Sequence, residues 1–272
     1  MAISILDRVS RSDIVLDPFP HIVVADALPA DYYARLADEY PSFATLAGPG
    51  PHPNNTLYVR SAWDIPFMPD VTAVWRQFAA HHVSRDFYRK MVALFGDRIR
   101  NAHPTLEGEL GRTVEDLSVG PRHPKKSLHS EARAHDVKLD AQFGINSPVT
   151  ERSSVRIAHV DSKFKLVAGL LYFRHENDDS TGGELELCRY DPSGARFDAS
   201  QHLIGSAFEV ARTVPYRHNM LVMWVNSPAA LHGVSPRDPT PHPRRYINFL
   251  CETYMQPEGL FTLQRELAPA AP

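Results

Sequence analysis

Cysteine is nearly missing from this chain. Cys188 and Cys251 are its two thiols in 272 residues, too few for a disulfide framework, so a small cross-linked secreted scaffold is excluded. One bridge between them stays formally open, and two buried thiols in a reducing compartment is the simpler expectation. Long apolar runs are missing as well. The opening "MAISILDRVSRSD" has a five-residue apolar start that Asp7 and Arg8 interrupt, and no later run reaches the length of a membrane span. A cytoplasmic location with no membrane attachment is the resulting expectation. Nor does one sign of charge dominate. With 29 Lys+Arg against 32 Asp+Glu, the net charge of −3 provides no broad field for nucleic acid or an anionic membrane, so any anion recognition has to be local. Internal repeats and low-complexity tracts are absent too. What is present suits a globular chain: 43% hydrophobic residues suffice to close a sizeable core.

The first third reads as helical. In "ALPADYYARLADEYP" Pro29 stands in a first-turn position, Tyr33, Leu36, Ala37 and Tyr40 recur at helical spacing, and Pro41 ends the pattern. A second helix fits "PDVTAVWRQFAAHH", with Val71, Val74, Trp75, Phe78 and His82 on one stripe. A third fits "SRDFYRKMVALFG", with Ser84 as N-cap, Phe87, Met91, Leu94 and Phe95 as its apolar face and Gly96 as its stop. Residues 119–136, "VGPRHPKKSLHSEARAHD", have no sustained period and read as an exposed, mobile loop. Such a loop is either a solvated connector or a lid whose Arg122, Lys125 and Lys126 meet an anion.

From about residue 137 the texture changes. "KLDAQFGINSPV", "SVRIAHV", "LVAGLLYFR", "GELELC", "AFEVART", "NMLVMWVN", "AALHGVS" and "RYINFLCETY" are short, rich in β-branched and aromatic residues, and separated by turn formers. Strands following a helical section indicate an α+β, mainly β architecture, closed or sandwiched, and not alternating βαβ units. The expected organisation is a helical support and loop section over 1–136, a β core over 137–255 and an extension over 256–272, all within one structural domain.

Within the β section, "VRIAHVDSKFKL" carries His159 and Asp161 two residues apart. Chance alone yields roughly 1.6 His-x-acid pairs in a chain of this composition, and a second pair, His129/Glu131, sits in the irregular 119–136 segment, where metal ligands lack a rigid frame. The strand context favours the first. In an extended segment, side chains at i and i+2 leave from one face, so both can address one ion; on a helix they would splay. "LHGVSPRD" supplies His232 at the end of another predicted strand. Two imidazoles and one carboxylate on one face of an octahedral ion leave open positions, the set that suits non-haem Fe(II) in oxygenases. In "PHPRRYINF" an arginine at a strand start is costly to bury unless it meets an anion, which its planar fork pairs bidentately when the anion is a carboxylate. With Ile247, Phe249 and Cys251 as the inward face, the period of two turns Arg245 inward and Arg244 outward.

The order of these parts resembles the Fe(II)/2-oxoglutarate-dependent oxygenases, and within them the prolyl-hydroxylase-like group. The residues that carry the resemblance are "HVD" at 159–161, "GLLYF", "GGELEL", "HGV" at 232–234 and "RY" at 245–246, and it covers residues 137–255. One departure is the 13-residue gap from His232 to Arg245, longer than in many members. The resemblance implies a double-stranded β-helix, or jelly roll, with His159, Asp161 and His232 on iron, and Arg245 on the far carboxylate of 2-oxoglutarate. Tyr172 matches a tyrosine that in several members reaches the same carboxylate. It further implies that 2-oxoglutarate and O2 occupy the open iron positions, that succinate and CO2 are released, and, since Asp161 is present, that a C–H bond is hydroxylated.

Candidate substrate contacts are Arg156, just before the metal pair, which binds a substrate carboxylate or phosphate if it points in and is a surface charge if it points out, and Asn146, otherwise a strand-end turn residue, with Gln142 on the same strand. Without a nucleic-acid-binding stripe, a small metabolite, amino acid or sugar-like substrate is expected. Oligomeric state has no signature here. Two other classes also accommodate the strands and histidines: a non-catalytic metal-containing jelly roll that binds a ligand, and a cupin-type metal enzyme without 2-oxoglutarate. Neither gives the arginine a role.

Overall fold

The structure is a computed structural model and describes residues 3–124, 130 and 134–264. Five α-helices are described: α1 (Ala30–Asp38), α2 (Phe43–Ala47), α3 (Ala73–His82), α4 (Arg85–Ala102) and α5 (Leu106–Leu110). Twelve strands accompany them: β1 (His21–Val24), β2 (Leu57–Arg60), β3 (Val119–Pro121), β4 (Val137–Asn146), β5 (Lys165–Tyr172), β6 (Leu185–Arg189), β7 (Arg196–Phe197), β8 (Leu203–Ile204), β9 (Glu209–Val214), β10 (Leu221–Val225), β11 (His232–Val234) and β12 (Arg244–Glu252). No described helix is long and apolar enough to cross a membrane.

The main sheet runs β1-β10-β5-β12-β4-β2, with β3 parallel to β4; a smaller sheet runs β11-β6-β9, and β7 pairs with β8. The helical first third thus supplies two strands of the main sheet, β1 beside β10 and β2 beside β4. Both are only four residues long, too short to leave a readable alternation. Mainly β with supporting helices is the architecture observed.

Two apolar layers form because the central strands carry apolar side chains on both faces. On the outer face, Phe143, Ile247, Phe249 and Cys251 pack with Trp75, Phe78, Phe87 and Phe95 of α3 and α4. On the inner face, Ala168, Tyr172, Trp224 and Tyr246 meet Leu185, Leu187 and Val214 of the small sheet. Each fully buried side chain of this size contributes roughly 1.5–3 kcal/mol. Tyr40 ties α1 to the sheet by donating to the carbonyls of Gly144 (3.1 Å) and Tyr246 (3.0 Å).

Three local expectations need correction. Helix α4 does not stop at Gly96 but continues to Ala102; Gly96 is buried inside it, beside Val92, and Ile99 extends the apolar face one further turn. "SVRIAHV" forms no ladder strand: His159 makes isolated antiparallel bridges to His232 and His202. The 119–136 segment is not loop throughout, since Val119–Pro121 is β3 and the Arg122 side chain lies inside, 2.7 Å from Glu252. Lys125, Lys126, His129 and Glu131 fall outside the described residues. Cys188 and Cys251 are both free and buried; burial pushes the Cys188 thiol up to about 12 and that of Cys251 up as well.

Candidate metal and anion site

A cavity of about 490 Å³ opens between the two sheets, lined by His159, Asp161, Lys165, Trp224, His232, Arg244, Tyr246, Asn248 and Arg156 among others. His159 and His232 are paired through their backbones, each N–H donating to the other's carbonyl (2.8 and 2.9 Å), and their rings lie 4.3 Å apart. Each Nδ1 is 2.9 Å from the carbonyl two residues back, Ile157 for His159 and Ala230 for His232. A carbonyl can only accept, so Nδ1 carries the proton and the Nε2 lone pair is free. Both Nε2 atoms face the Asp161 carboxylate, at 3.9 and 3.8 Å. One donor atom from each of His159, Asp161 and His232 lies within 4.8 Å of the others, and all three residues are buried.

Electrostatics hold these groups in the forms a cation needs. Burial, reinforced at His159 by the neighbouring His232 and Arg156, keeps both imidazoles below their ordinary basicity and therefore neutral. Burial alone would raise the Asp161 carboxyl, but the surrounding positive charge, foremost Lys165 at 2.8 Å, holds Asp161 below the usual carboxylate range. Two neutral nitrogen donors and one anionic oxygen donor result. Donors bound about 2.1 Å from one ion at right angles sit about 3 Å apart, so modest side-chain rotation closes the observed gaps around a divalent ion.

The arginine on this cavity is Arg244, not Arg245. Ile247, Phe249 and Cys251 do share a face with Arg245, as the period of two requires, but that face packs on the helices. Arg245 accordingly donates to the Phe173 carbonyl (2.9 Å), lies over the Tyr40 ring (5.1 Å) and lines a different pocket with Asp38, Glu176 and His218. Arg244 points inward with Tyr246 and Asn248. It is 2% exposed, its Nε donates to the Gly183 carbonyl (3.0 Å), one Nη donates to the Tyr172 hydroxyl (3.2 Å), and the rings of Tyr172, Tyr216 and Tyr246 surround it at 4.9–5.1 Å. Among the described residues, no carboxylate pairs with it. A buried guanidinium without a counter-charge is costly unless an anion enters. The Gly182–Gly183 turn therefore does more than reverse the chain. Both residues have φ near +80°, and a Cβ on Gly182 would stand 2.0 Å from the Pro236 carbonyl oxygen, so glycine there lets Gly183 reach Arg244.

The remaining predicted residues divide. Tyr172 is fully buried behind Arg244, and burial pushes its hydroxyl up to about 12. Arg156 lines the cavity. Asn146 does not; it lies opposite Arg244 in the β4–β12 register, fully buried, and neither amide atom has a hydrogen-bond partner. Lys165, Trp224 and Asn248 line the cavity without having been singled out as site residues. The Asn248 orientation is set from a distance. Asp140 accepts from Gln142 Nε2 (2.9 Å), so Gln142 Oε1 must accept from Asn248 Nδ2 (3.0 Å), which leaves Asn248 Oδ1 as the free acceptor. The hydrophobic pattern gave no sign of this relay, though polar Asp140 and Gln142 at spacing two on β4, with Asn248 on β12, were the available signal.

No protein-family model matches the chain, and no curated protein matches it. Among solved structures, it is similar to a Pseudomonas putida prolyl-4-hydroxylase at 12% identity, covering 86% of this chain and 92% of that one, with a TM-score of 0.43. It is similar to a prolyl 4-hydroxylase from Phytophthora capsici at 14% identity over 92% of this chain and 64% of that one, TM-score 0.47. A viral collagen prolyl hydroxylase from Paramecium Bursaria Chlorella virus-1, solved as a 2OG complex, is 10% identical over 86% of this chain and 95% of that one, TM-score 0.40. Identities this low leave the chemistry to be argued from this chain's own side chains.

Proposed function

We propose that the chain is an Fe(II)/2-oxoglutarate-dependent oxygenase that hydroxylates a C–H bond of a small metabolite, with a double-stranded β-helix core. One observation carries this reading: two imidazole lone pairs and a carboxylate converge on a cavity that also holds a buried arginine with no acidic partner among the described residues. A metal site alone accounts for the first three; a jelly-roll binder or a cupin-type enzyme leaves Arg244 unexplained. Facing sheets with a buried layer between them support the β-helix core.

His159, Asp161 and His232 would hold the iron. When bound, iron with 2-oxoglutarate and O2 would supply the oxidation, with release of succinate and CO2. The chain's own work is positional. Nδ1 bonds to two backbone carbonyls fix both imidazole rings, as such outer bonds do around bound metals. Lys165 keeps Asp161 ionised and its oxygen oriented. Arg244 takes the far carboxylate in place of Arg245, with Tyr172 and Gly183 fixing its plane. Buried walls of Leu170, Leu185, Trp224 and Tyr246 exclude water from the reacting region.

An anaerobic titration of metal-free protein with Fe(II) and 2-oxoglutarate tests the assignment. A weak visible charge-transfer band, followed by succinate on admission of air, is expected. Metal binding with neither band nor succinate would transfer the chain to one of the other two classes.

A further inference from the structure

The cavity holds a second arginine that the co-substrate does not use. Arg156 has its backbone pinned on both sides: its amide donates to Ser154 Oγ (3.1 Å) and its carbonyl accepts from Val234 N–H (2.9 Å). Its side chain is half-buried on the cavity wall. Arg156 shares the lining of this cavity with His159, His232, Tyr246 and Asn248. Among the described residues, no carboxylate pairs with Arg156.

The charge balance then decides what the cavity still needs. Its lining has three cations, Arg156, Lys165 and Arg244, against one carboxylate, Asp161. Lys165 and Asp161 neutralise each other at 2.8 Å. A divalent metal and doubly charged 2-oxoglutarate also cancel. A net positive charge remains, and with the far carboxylate of 2-oxoglutarate on Arg244, Arg156 is the guanidinium left without a partner on the cavity wall.

We propose that the primary substrate is a small organic oxyanion, a carboxylate or a phosphate, and that Arg156 is its anchor. The proposal rests on the oxygenase reading for the assignment of Arg244 to 2-oxoglutarate. Arginine suits the role because its fork pairs either oxyanion through two parallel hydrogen bonds. The free Oδ1 of Asn248 on the same cavity offers such a substrate one further contact, from a hydroxyl or amino donor.

The test uses full-length protein loaded with Zn(II), a diamagnetic stand-in for iron, with its arginine side chains labelled with ¹⁵N. Arg156 and Arg244 Nε resonances are assigned by their loss in Arg156→Gln and Arg244→Gln, with the lysine variants as substitutes should either fail to fold. Adding 2-oxoglutarate should move Arg244. Acetate, inorganic phosphate and neutral acetamide are then added separately to the saturated complex. A saturable shift of Arg156 with acetate or phosphate in the millimolar range, and none with acetamide, is expected; which anion saturates distinguishes a carboxylate from a phosphate substrate. Arg156 moving only linearly, as exposed arginines do, would overturn the proposal. So would saturation by a blocked, uncharged proline peptide when neither anion saturates. A silent Arg244 would overturn the oxygenase reading separately, whatever Arg156 does.

Discussion

His159 and His232, 73 residues apart in the chain, exchange both of their backbone hydrogen bonds. Residues paired this way present their side chains on the same side of the pair, so the two imidazoles meet Asp161 without needing a continuous strand at either position. The placing of the two imidazoles is therefore a backbone property.

Metal binding should depend on each of these side chains. Mn(II), or Fe(II) under anaerobic conditions, should stabilise the wild-type protein by about 2.7 kcal/mol at a hundredfold excess over Kd. His159→Ala and His232→Ala should lose most of that gain. Thermal unfolding with and without metal measures it, and equal gains in all three proteins would remove these residues from the metal site.

Arg244 and Arg245 should behave as opposites despite being neighbours. Removing one partner of a buried charged pair costs roughly 2–5 kcal/mol, so Arg244→Gln should weaken 2-oxoglutarate binding by about 30-fold or more. Arg245→Gln, on the helix-facing side, should leave that affinity within about twofold. Calorimetric titration of both variants decides; the reverse ranking would restore Arg245.

Tyr40→Phe should separate support from site. It removes a hydroxyl that donates to two buried carbonyls, Gly144 and Tyr246, which should destabilise the fold by about 1–3 kcal/mol. The cofactor-binding residues are untouched, so 2-oxoglutarate affinity should hold. Denaturant midpoints at unchanged slope provide the first number, and an unchanged midpoint would contradict the role given to Tyr40.

Acid stability should carry the signature of His82. Burial lowers its pKa to about 3 in the folded chain, and its Nε2 must stay unprotonated to accept from the Ile5 N–H (3.2 Å). An unfolded histidine titrates near 6.5, so from that pH down to about 3 the unfolded chain takes a proton that the folded one refuses. Stability through this group is thus full above 6.5 and falls on acidification by up to about 1.4 kcal/mol per pH unit. Asp140 acts in the other direction: burial raises it to about 6, so the folded chain binds that proton first and gains on acidification from about 6 towards its unfolded value. His82→Gln should therefore show a shallower loss of urea stability below pH 6.5 than wild type. Parallel curves would refute the assignment.

Much of the site was legible because its chemistry is local. The i, i+2 spacing of His159 and Asp161, the later His232 and the paired arginines specify ligand types that few other purposes require together, and the change from helical to alternating patterns near residue 137 marks the mainly β part. Which arginine enters the cavity was not legible. Alternation along "RRYINFLCE" says which residues share a face, but both faces of β12 are apolar, one against α3 and α4 and the other against the small sheet, and the pattern is symmetric between them. Only packing of the helices on the Ile247 face turned Arg244 inward. The pairing of the short strands β1 with β10 and β2 with β4, and the presence of Arg156 in the cavity of the two histidines, were likewise decided by contacts between segments remote in the chain, which set register and layer order.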